Sequence, residues 1–533
     1  MSEVVDARRA TRSRLRWEFA AVALLMAIAA ALRFYQLDQY PLGVHQDELS
    51  NMYDGYSIAT TGADRFGTPH PAIVRAFGEN DYRPAMYAWL AAVPMSLSGF
   101  SIIAGRLPAA ILGIASLWFL YLLAKSAGGS TYGLLALLLG VLSPLHIQYS
   151  RVAHEGAMLP AFFAILILFL WYRGARTGFP LGSTALLGFV VGLSANAYQA
   201  TKLTAFLFFL CIAVDMMRRQ GKRGRAALLI LAVTAFIGAL PQIIVLASEQ
   251  QHFFARAKVL SVHAGNPISY ASQVLWNYWL NLAPRYLFIP RDYSDLTVAR
   301  LLPPEVLFFY AGIFTLALLN FGRRPEPKWY IYPALAIVIL PAALTTGNPN
   351  TLRASGMATL TPLVSAAGVI WLGRRFFSQP RLRRIYYLTS VALLVASAAA
   401  ITWRYSRSVH FREAYFQNFL IQLDKAVGRR QKNFDAVLIE NYGSERHLYT
   451  AAFAGMTPAQ FQRAPKIIYS DGMDRFRRLG KYYFVWPSTL QKTADSVSHR
   501  DARILLVARR PLRGWNVVDS VAWQNEKAYL MVR

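Results

Sequence analysis

Asp47 and Glu48 stand side by side in the stretch VHQDELSNMYDG (44–55), directly after the first long apolar run of the chain. Two neighbouring carboxylates suit acid–base work, because repulsion between them raises the pKa of one. They equally suit a divalent cation held through oxygen ligands. Adjacent residues of an extended segment point to opposite sides, so one carboxylate is enough to face a substrate. We read Asp47 as that group and Glu48 as its support, with His45 and Tyr53 lining the same pocket and Asp54, Asp64 and Arg65 close behind. An ordinary solvated loop is the plain alternative.

A second cluster lies in SPLHIQYSRVAHEG (143–156). Arg151, His154 and Glu155 share a face if a helix begins there; a structural Arg–Glu pair is the other reading. No HxxxH or HExxH spacing occurs, so no metal ligand set is assigned. Further cations stand at the ends of apolar runs: Arg83, Arg106, Lys202, Arg285, Arg291 and Arg353. Some are snorkelling anchors, the ordinary role of a cation there. Carboxylates and several cations around one membrane-level cavity nonetheless suit a lipid-linked phosphate, which the cations hold while a carboxylate acts on the partner group. The aromatic stretch QVLWNYWLNLAPRYLFIPRDYSD (273–295), with Tyr286 at its centre, reads as an interfacial belt or as a lining for sugar rings.

The elements that must position these residues are membrane helices. The chain of 533 residues is 55% hydrophobic, with a mean hydropathy of +0.30, far above a water-soluble domain of this size. Its single cysteine, Cys211, excludes an internal disulfide. The net charge of +28 fits cytoplasmic loops and anionic headgroups, and no aromatic–basic module points to nucleic acid. Apolar stretches near 17–36, 104–124, 131–149, 157–172, 180–198, 203–217, 226–247, 305–321, 329–346, 356–372 and 385–403 predict about eleven spans.

Basic connections then set the orientation. RRATRSRLR, WYRGARTG, MRRQGKRGR, GRRPEPKW and GRRFFSQPRLRR all fall on the cytoplasmic side if 82–100, which carries Pro84 and Pro94, lies in the interface instead of crossing. The N-terminus is then inside and anchored by an uncleaved first span, and the acidic pair is outside. From residue 404 short β-prone runs (FDAVLIE, KIIYS, KYYFVW, ARILLVA, AYLMVR) and the helical candidate TPAQFQRA predict a small extracytoplasmic α/β domain. It carries 22 Lys/Arg against 11 Asp/Glu, which suits either anionic headgroups or plain solubility. The expected division is therefore 1–403, a transmembrane catalytic domain, and 404–533.

The succession HQDELSNMYDGYSIATTGADRFGTPHP, YRPAMYAWLAAVPMSLSGFSIIAGRLPAAILG and SPLHIQYSR resembles the membrane-embedded C-type glycosyltransferases of the protein-mannosyltransferase and aminoarabinose-transferase group (glycosyltransferase family 39-like). The likeness covers roughly residues 17–175, with weaker similarity in NYWLNLAPRYLFIPRD and NPNTLRASGMATLTP. It implies a polytopic GT-C fold, interfacial helices in the first outer loop and a cell-membrane enzyme with its active site outside. The donor it implies is a polyprenyl-phosphate-linked sugar, and the acceptor a protein, lipid or glycan of the cell envelope. The family's base falls on Asp47. Its Lys-Pro-Pro phosphate motif reads Arg83-Pro84-Ala85 here, which keeps the charge but turns a point ammonium into a planar fork. Its late Arg-Tyr motif falls on Arg353-Ala354, without the aromatic ring. Arg83, Arg151, Arg353 and Lys202 become the phosphate-binding candidates, and His45, Tyr53, Glu155 and Tyr286 the pocket. No cofactor is assigned, and a divalent cation is left open by the family's two branches.

The rival class is a transporter or flippase for lipid-linked sugars. It favours charges near the bilayer midplane and repeated halves, whereas these charges lie at span ends and no repeat is evident. A receptor or assembly scaffold that binds through its tail domain is a third reading.

Overall fold

The computed structural model describes residues 2–79, 81–289, 299–319, 322, 325–407, 416–441, 445–469, 475–498 and 503–533. In chain order the elements are α1 (Ser2–Phe34), α2 (Gln46–Thr61), β1 (Ile73–Arg75), β2 (Tyr82–Pro84), α3 (Met86–Ser98), α4 (Ile102–Gly128), α5 (Ser130–Leu142) and α6 (Pro144–Tyr149). Next come α7 (Met158–Thr177), α8 (Leu181–Ser194), α9 (Thr201–Gln220), α10 (Arg225–Ser248), α11 (Gln250–Leu260), α12 (Pro267–Leu282) and α13 (Pro284–Leu287). The helical part closes with α14 (Glu305–Thr315), α15 (Lys328–Ala343), α16 (Met357–Phe376) and α17 (Pro380–Arg407).

The chain forms two compact units. The first comprises Met1–Gln36, Ala109–Ala247 and Ala257–Arg407, and is helical. Six described helices are long and apolar enough to cross a membrane: Leu15–Phe34 of α1, α4, α7, α10, α16 and α17. This is an integral membrane protein. Each of the eleven apolar stretches overlaps a described helix, 131–149 being divided between α5 and α6, and α5, α8, α14 and α15 are short apolar helices of 10–17 residues. Large apolar side chains stand exposed along the outside, among them Leu24, Phe206, Leu229, Phe236, Phe314 and Leu388, as lipid-facing positions do.

Small residues bring helices of this unit into backbone contact. A Cβ on Gly368 of α16 would overlap the carbonyl oxygen of Phe308 on α14, and one on Gly312 of α14 would overlap that of Val364 on α16. Gly188 and Gly192 of α8 meet α10 in the same way. In hydrocarbon, such close approach supplies the packing that the hydrophobic effect supplies in water. Some polar groups inside the unit are joined in a buried chain. Arg33 donates to Gly140 O and meets His146 Nδ1 at 2.9 Å, while His146 Nε2 lies 2.8 Å from Ser116 Oγ.

The second unit joins Leu37–Pro108, Ser248–Arg256 and Ser408–Arg533. The stretch 82–100 folds here as β2 and α3, and α3 packs on α2. After α17 come α18 (Asn418–Arg430), β3 (Ala436–Glu440), α19 (Arg446–Phe453), α20 (Pro458–Arg463), β4 (Lys466–Ile468), β5 (Phe476–Leu479) and β6 (Tyr482–Val485). Last are α21 (Leu490–Ser498), β7 (Ile504–Ala508), β8 (Asn516–Trp523) and β9 (Glu526–Val532). The strands form one mixed sheet in the order β4-β5-β6-β3-β7-β9-β8, with β3 parallel to both β6 and β7. β3 and β7 are buried at every residue, as continuous apolar runs in a two-sided central strand require. A buried Arg446–Asp424 ion pair, which also reaches Thr450, joins α19 to α18.

Candidate active site

Helix α2 carries the acidic pair on its first turn. His45 is its N-cap: ring Nδ1 accepts the Asp47 amide at 3.2 Å, while Glu48 Oε1 accepts the His45 amide at 3.3 Å, closing a capping box. Gly62, in the left-handed region at φ +71°, ends the helix. With Nδ1 accepting, a neutral His45 ring holds its proton on Nε2. The same Nδ1 lies 3.2 Å from Asp47 Oδ2, so a protonated ring has that carboxylate within reach.

The two carboxylates part company at once. Glu48 is 1% exposed and accepts from Arg106 through both oxygens, Nε–Oε2 3.0 Å and Nη2–Oε1 3.2 Å. Arg106 also donates to Leu37 O, Pro41 O and Gly43 O, so its five N–H groups each have an acceptor. This arginine, expected to be an outer-rim cation, instead ties the loop before α2 to the start of α4. Asp47 keeps 25% of its side chain exposed. Its Oδ1 lies 3.7 Å from Arg83 Nη1, which also donates to the Asp47 carbonyl at 3.4 Å.

Arg83 sits on β2, paired antiparallel with β1 opposite Val74, and its guanidinium lies 5.2 Å from the centre of the Phe77 ring. Two further side chains fix this hairpin. Arg65 donates to Ser50 Oγ at 2.7 Å and Asp54 Oδ2 at 2.5 Å on α2, and to the carbonyls of Arg75 and Ala76 at the end of β1. It therefore braces the helix of Asp47 against the hairpin of Arg83. Burial raises the Asp54 carboxyl to about 6, with the Arg65 charge opposing. From α11, Arg256 pairs with Asp81 at 2.8 Å and the His252 ring stacks on Tyr82 at 4.0 Å.

The expected pocket residue Tyr53 is buried, and its hydroxyl donates to Met456 O at 2.9 Å. Of the predicted residues, the second unit thus gathers His45, Asp47 and Arg83, and directs Glu48 and Tyr53 into the packing.

The first unit holds the rest. No helix begins at Arg151. His154 Nδ1 accepts the Gly156 amide at 2.9 Å to form a turn, and α7 starts only at Met158. Arg151 instead donates to Leu32 O, Tyr35 O and Gln36 O at 2.7, 2.8 and 3.0 Å, capping the end of α1. Glu155 Oε2 lies 3.5 Å from His154 Nδ1. Tyr286 is buried beneath Arg300, whose guanidinium stands 4.0 Å from its ring centre. Arg353 donates to Thr345 Oγ1 at 2.9 Å and Thr346 O at 2.5 Å. Together with Tyr198, Thr201, Phe163, Ile167 and Phe208 it lines a small cleft. Lys202 follows Thr201 in the first turn of α9. Arg291 lies outside the described residues. Among the described residues no three His, Cys, Asp or Glu side chains gather to hold a metal ion.

Sequence reasoning missed the partners of Glu48 and Arg65. Arg106 lies 58 residues from Glu48, and no spacing rule links them. The local signal that would have placed Glu48 at a helix start is its spacing of three residues from His45, as in a capping box.

Comparison with known proteins yields the following. The profile described as dolichyl-phosphate-mannose-protein mannosyltransferase matches residues 82–244. The protein YkcB of Bacillus subtilis (strain 168), to which mannosyltransferase activity is ascribed, is 31% identical over 131 residues. Those are 24% of this chain and 17% of YkcB, so the match spans about a sixth of that relative. ArnT from Cupriavidus metallidurans bound to undecaprenyl phosphate superposes with a TM-score of 0.53 at 12% identity, covering 96% of this chain and 97% of ArnT. The oligosaccharyltransferase AglB from Archaeoglobus fulgidus, in complex with an inhibitory peptide and a dolichol-phosphate, gives a TM-score of 0.48 at 13% identity over 83% of this chain and 64% of AglB. The chain is similar to the protein mannosyltransferases in sequence and shares the ArnT fold, as its motifs indicated.

Proposed function

We propose that this chain is an inverting glycosyltransferase that moves a sugar from a polyprenyl-phosphate carrier to an acceptor on the extracytoplasmic side of the membrane. The observation that carries the reading is the Asp47–Arg83 pair at the capped N-terminus of α2. A quarter-exposed carboxylate next to a guanidinium combines a proton acceptor with a site for anionic oxygen.

The acceptor hydroxyl approaches the anomeric carbon on the face opposite the phosphate. Its proton passes to Asp47, its oxygen forms the new C–O bond, and the bond to the phosphate oxygen breaks. Polyprenyl phosphate leaves with that electron pair, and Arg83 stabilises the charge that grows on it. Glu48, held by Arg106, acts by setting the helix start, not by touching substrate. Arg151 likewise serves the end of α1. The cleft beside Arg353, apolar along Phe163, Ile167 and Phe208 and polar at Thr201 and Arg353, matches an isoprenoid phosphate in character. We assign it, with Lys202, to the donor lipid. His45 remains a pocket candidate beside Asp47 in the second unit, and Glu155 one in the first.

Within this reading all eleven apolar helices span the cell membrane, the N-terminus is cytoplasmic, and residues 404–533 form the extracytoplasmic domain. The test is release of polyprenyl phosphate from a polyprenyl-phosphate sugar by the purified protein, with protein, lipid and glycan acceptors supplied in turn. Turnover that disappears in Asp47→Asn supports the assignment. Turnover retained in that variant removes the base, and donor translocation across vesicles without release favours the flippase class.

A further inference from the structure

The sheet domain meets α2 along its whole length, within the second unit. At the N-terminal end, Tyr449 of α19 is fully buried and its hydroxyl donates to Val44 O at 2.7 Å, one residue before the cap His45. The Val44 amide in turn donates to Phe416 O at 2.6 Å. Gly43, at φ +89°, passes so close that a Cβ there would overlap the Phe416 carbonyl. In the middle, the Tyr53 ring packs 5.7 Å from Phe461 of α20, and its hydroxyl reaches Met456 O. Toward the C-terminal end, Gln462 Nε2 faces Ser57 Oγ at 3.2 Å, Thr61 Oγ1 at 2.9 Å and Asp64 O at 2.9 Å.

We propose that the C-terminal domain is a positioning element for catalysis, which fixes the N-terminus of α2, and with it Asp47, through the Tyr449 hydroxyl. The proposal rests on Asp47 being the base. A helix start is where a helix frays, and a displacement of about 1 Å at a reacting group costs on the order of 100-fold in rate. The bond to Val44 O falls three residues before Asp47, on the segment whose direction decides where the first turn points. Tyr449 touches no substrate in this scheme, and acts through the backbone that carries the carboxylate.

Tyr449→Phe in the full chain removes one oxygen and keeps the ring against Phe453. The expected result is a fall of roughly tenfold or more in kcat with the donor KM within about twofold of the parent, together with faster amide hydrogen exchange over residues 44–61. Gln462→Ala is expected to speed exchange at the far end of α2 with a smaller loss of kcat. Arg503→Ala, an exposed position of the same domain, should change neither. Exchange at the parent level in Tyr449→Phe overturns the clamp. Faster exchange with unchanged kcat overturns its catalytic role, as does an equal loss in Arg503→Ala. Faster exchange in a chain whose parent releases no polyprenyl phosphate overturns the assigned reaction and leaves the mechanical tie standing.

Discussion

Asp47→Asn and Glu48→Gln make the same chemical change at adjacent positions, and the surroundings predict that they fail in different observables. Glu48 is buried, both its oxygens meet Arg106, and Arg106 is itself fully buried among three backbone carbonyls. Glu48→Gln leaves that guanidinium without its counter-charge, which for a buried pair costs about 3–5 kcal/mol. Asp47 is a quarter exposed and its closest approach to Arg83 is 3.7 Å. Its neutralisation costs the fold about 1 kcal/mol through the helix dipole and a partly screened pair. In the reaction the order reverses. A positioned base contributes roughly 100- to 10,000-fold, or about 3–5 kcal/mol of barrier at 1.4 kcal/mol per decade. Thermal unfolding in detergent, paired with turnover per folded molecule, separates the two. Asp47→Asn should melt near the parent and turn over at least a hundredfold more slowly; Glu48→Gln should melt well below it while its folded fraction stays active. A Glu48→Gln protein that melts with the parent but has lost turnover would refute this reasoning and return Glu48 to the chemistry.

Arg83→Ala should lower donor turnover by about 100- to 1,000-fold, the usual loss when one charge-stabilising donor is removed. Arg83→Lys should recover part of it, since charge returns without the planar fork; full activity in the alanine variant ends the phosphate assignment. The Asp54 carboxyl, at about 6 in the fold against an ordinary 3.8, binds its proton more tightly folded than unfolded. Its contribution is therefore complete below pH 4 and lost as pH rises through 6, by about 3 kcal/mol. Melting temperatures between pH 4 and 7 should show that fall, and Asp54→Asn should flatten it. Gly368→Ala should push α16 off α14 and cost about 1–3 kcal/mol, read as a lower melting temperature, with the equivalent change at exposed Gly182 as the neutral comparison.

The apolar helices were legible because an apolar run needs no partner to be recognised: every stretch from 17–36 to 385–403 overlaps a described helix. Helix breaks were not, since Ser143 separates α5 from α6 inside a single apolar run by a local cap on His146. In the tail, the apolar strands β3, β6 and β7 were visible, whereas β5, FRRL, hides behind its arginines and β8 behind a mixed pattern with alternating exposure. The candidate site was half legible. Asp47 and Arg83 could be nominated from type and resemblance, but what distinguishes Asp47 from Glu48 is the guanidinium of a residue 58 positions away. The grouping of Arg151 with His154 and Glu155 was conditional on a helix beginning there; a turn made by His154 and Gly156 stands in its place, and Arg151 donates to the carbonyls of α1.

The bond between Tyr449 and Val44 spans 405 residues of chain. At roughly 5–20 residues per second during synthesis, the segment that bears the carboxylate leaves the ribosome about 20 to 80 seconds before the tyrosine that pins it. During that interval the later membrane helices, α4 to α17, are themselves being made, and the acidic helix start is untethered. On the proposed scheme, competence for transfer waits for residue 449, and a chain cut short before it should accumulate in the membrane without turnover.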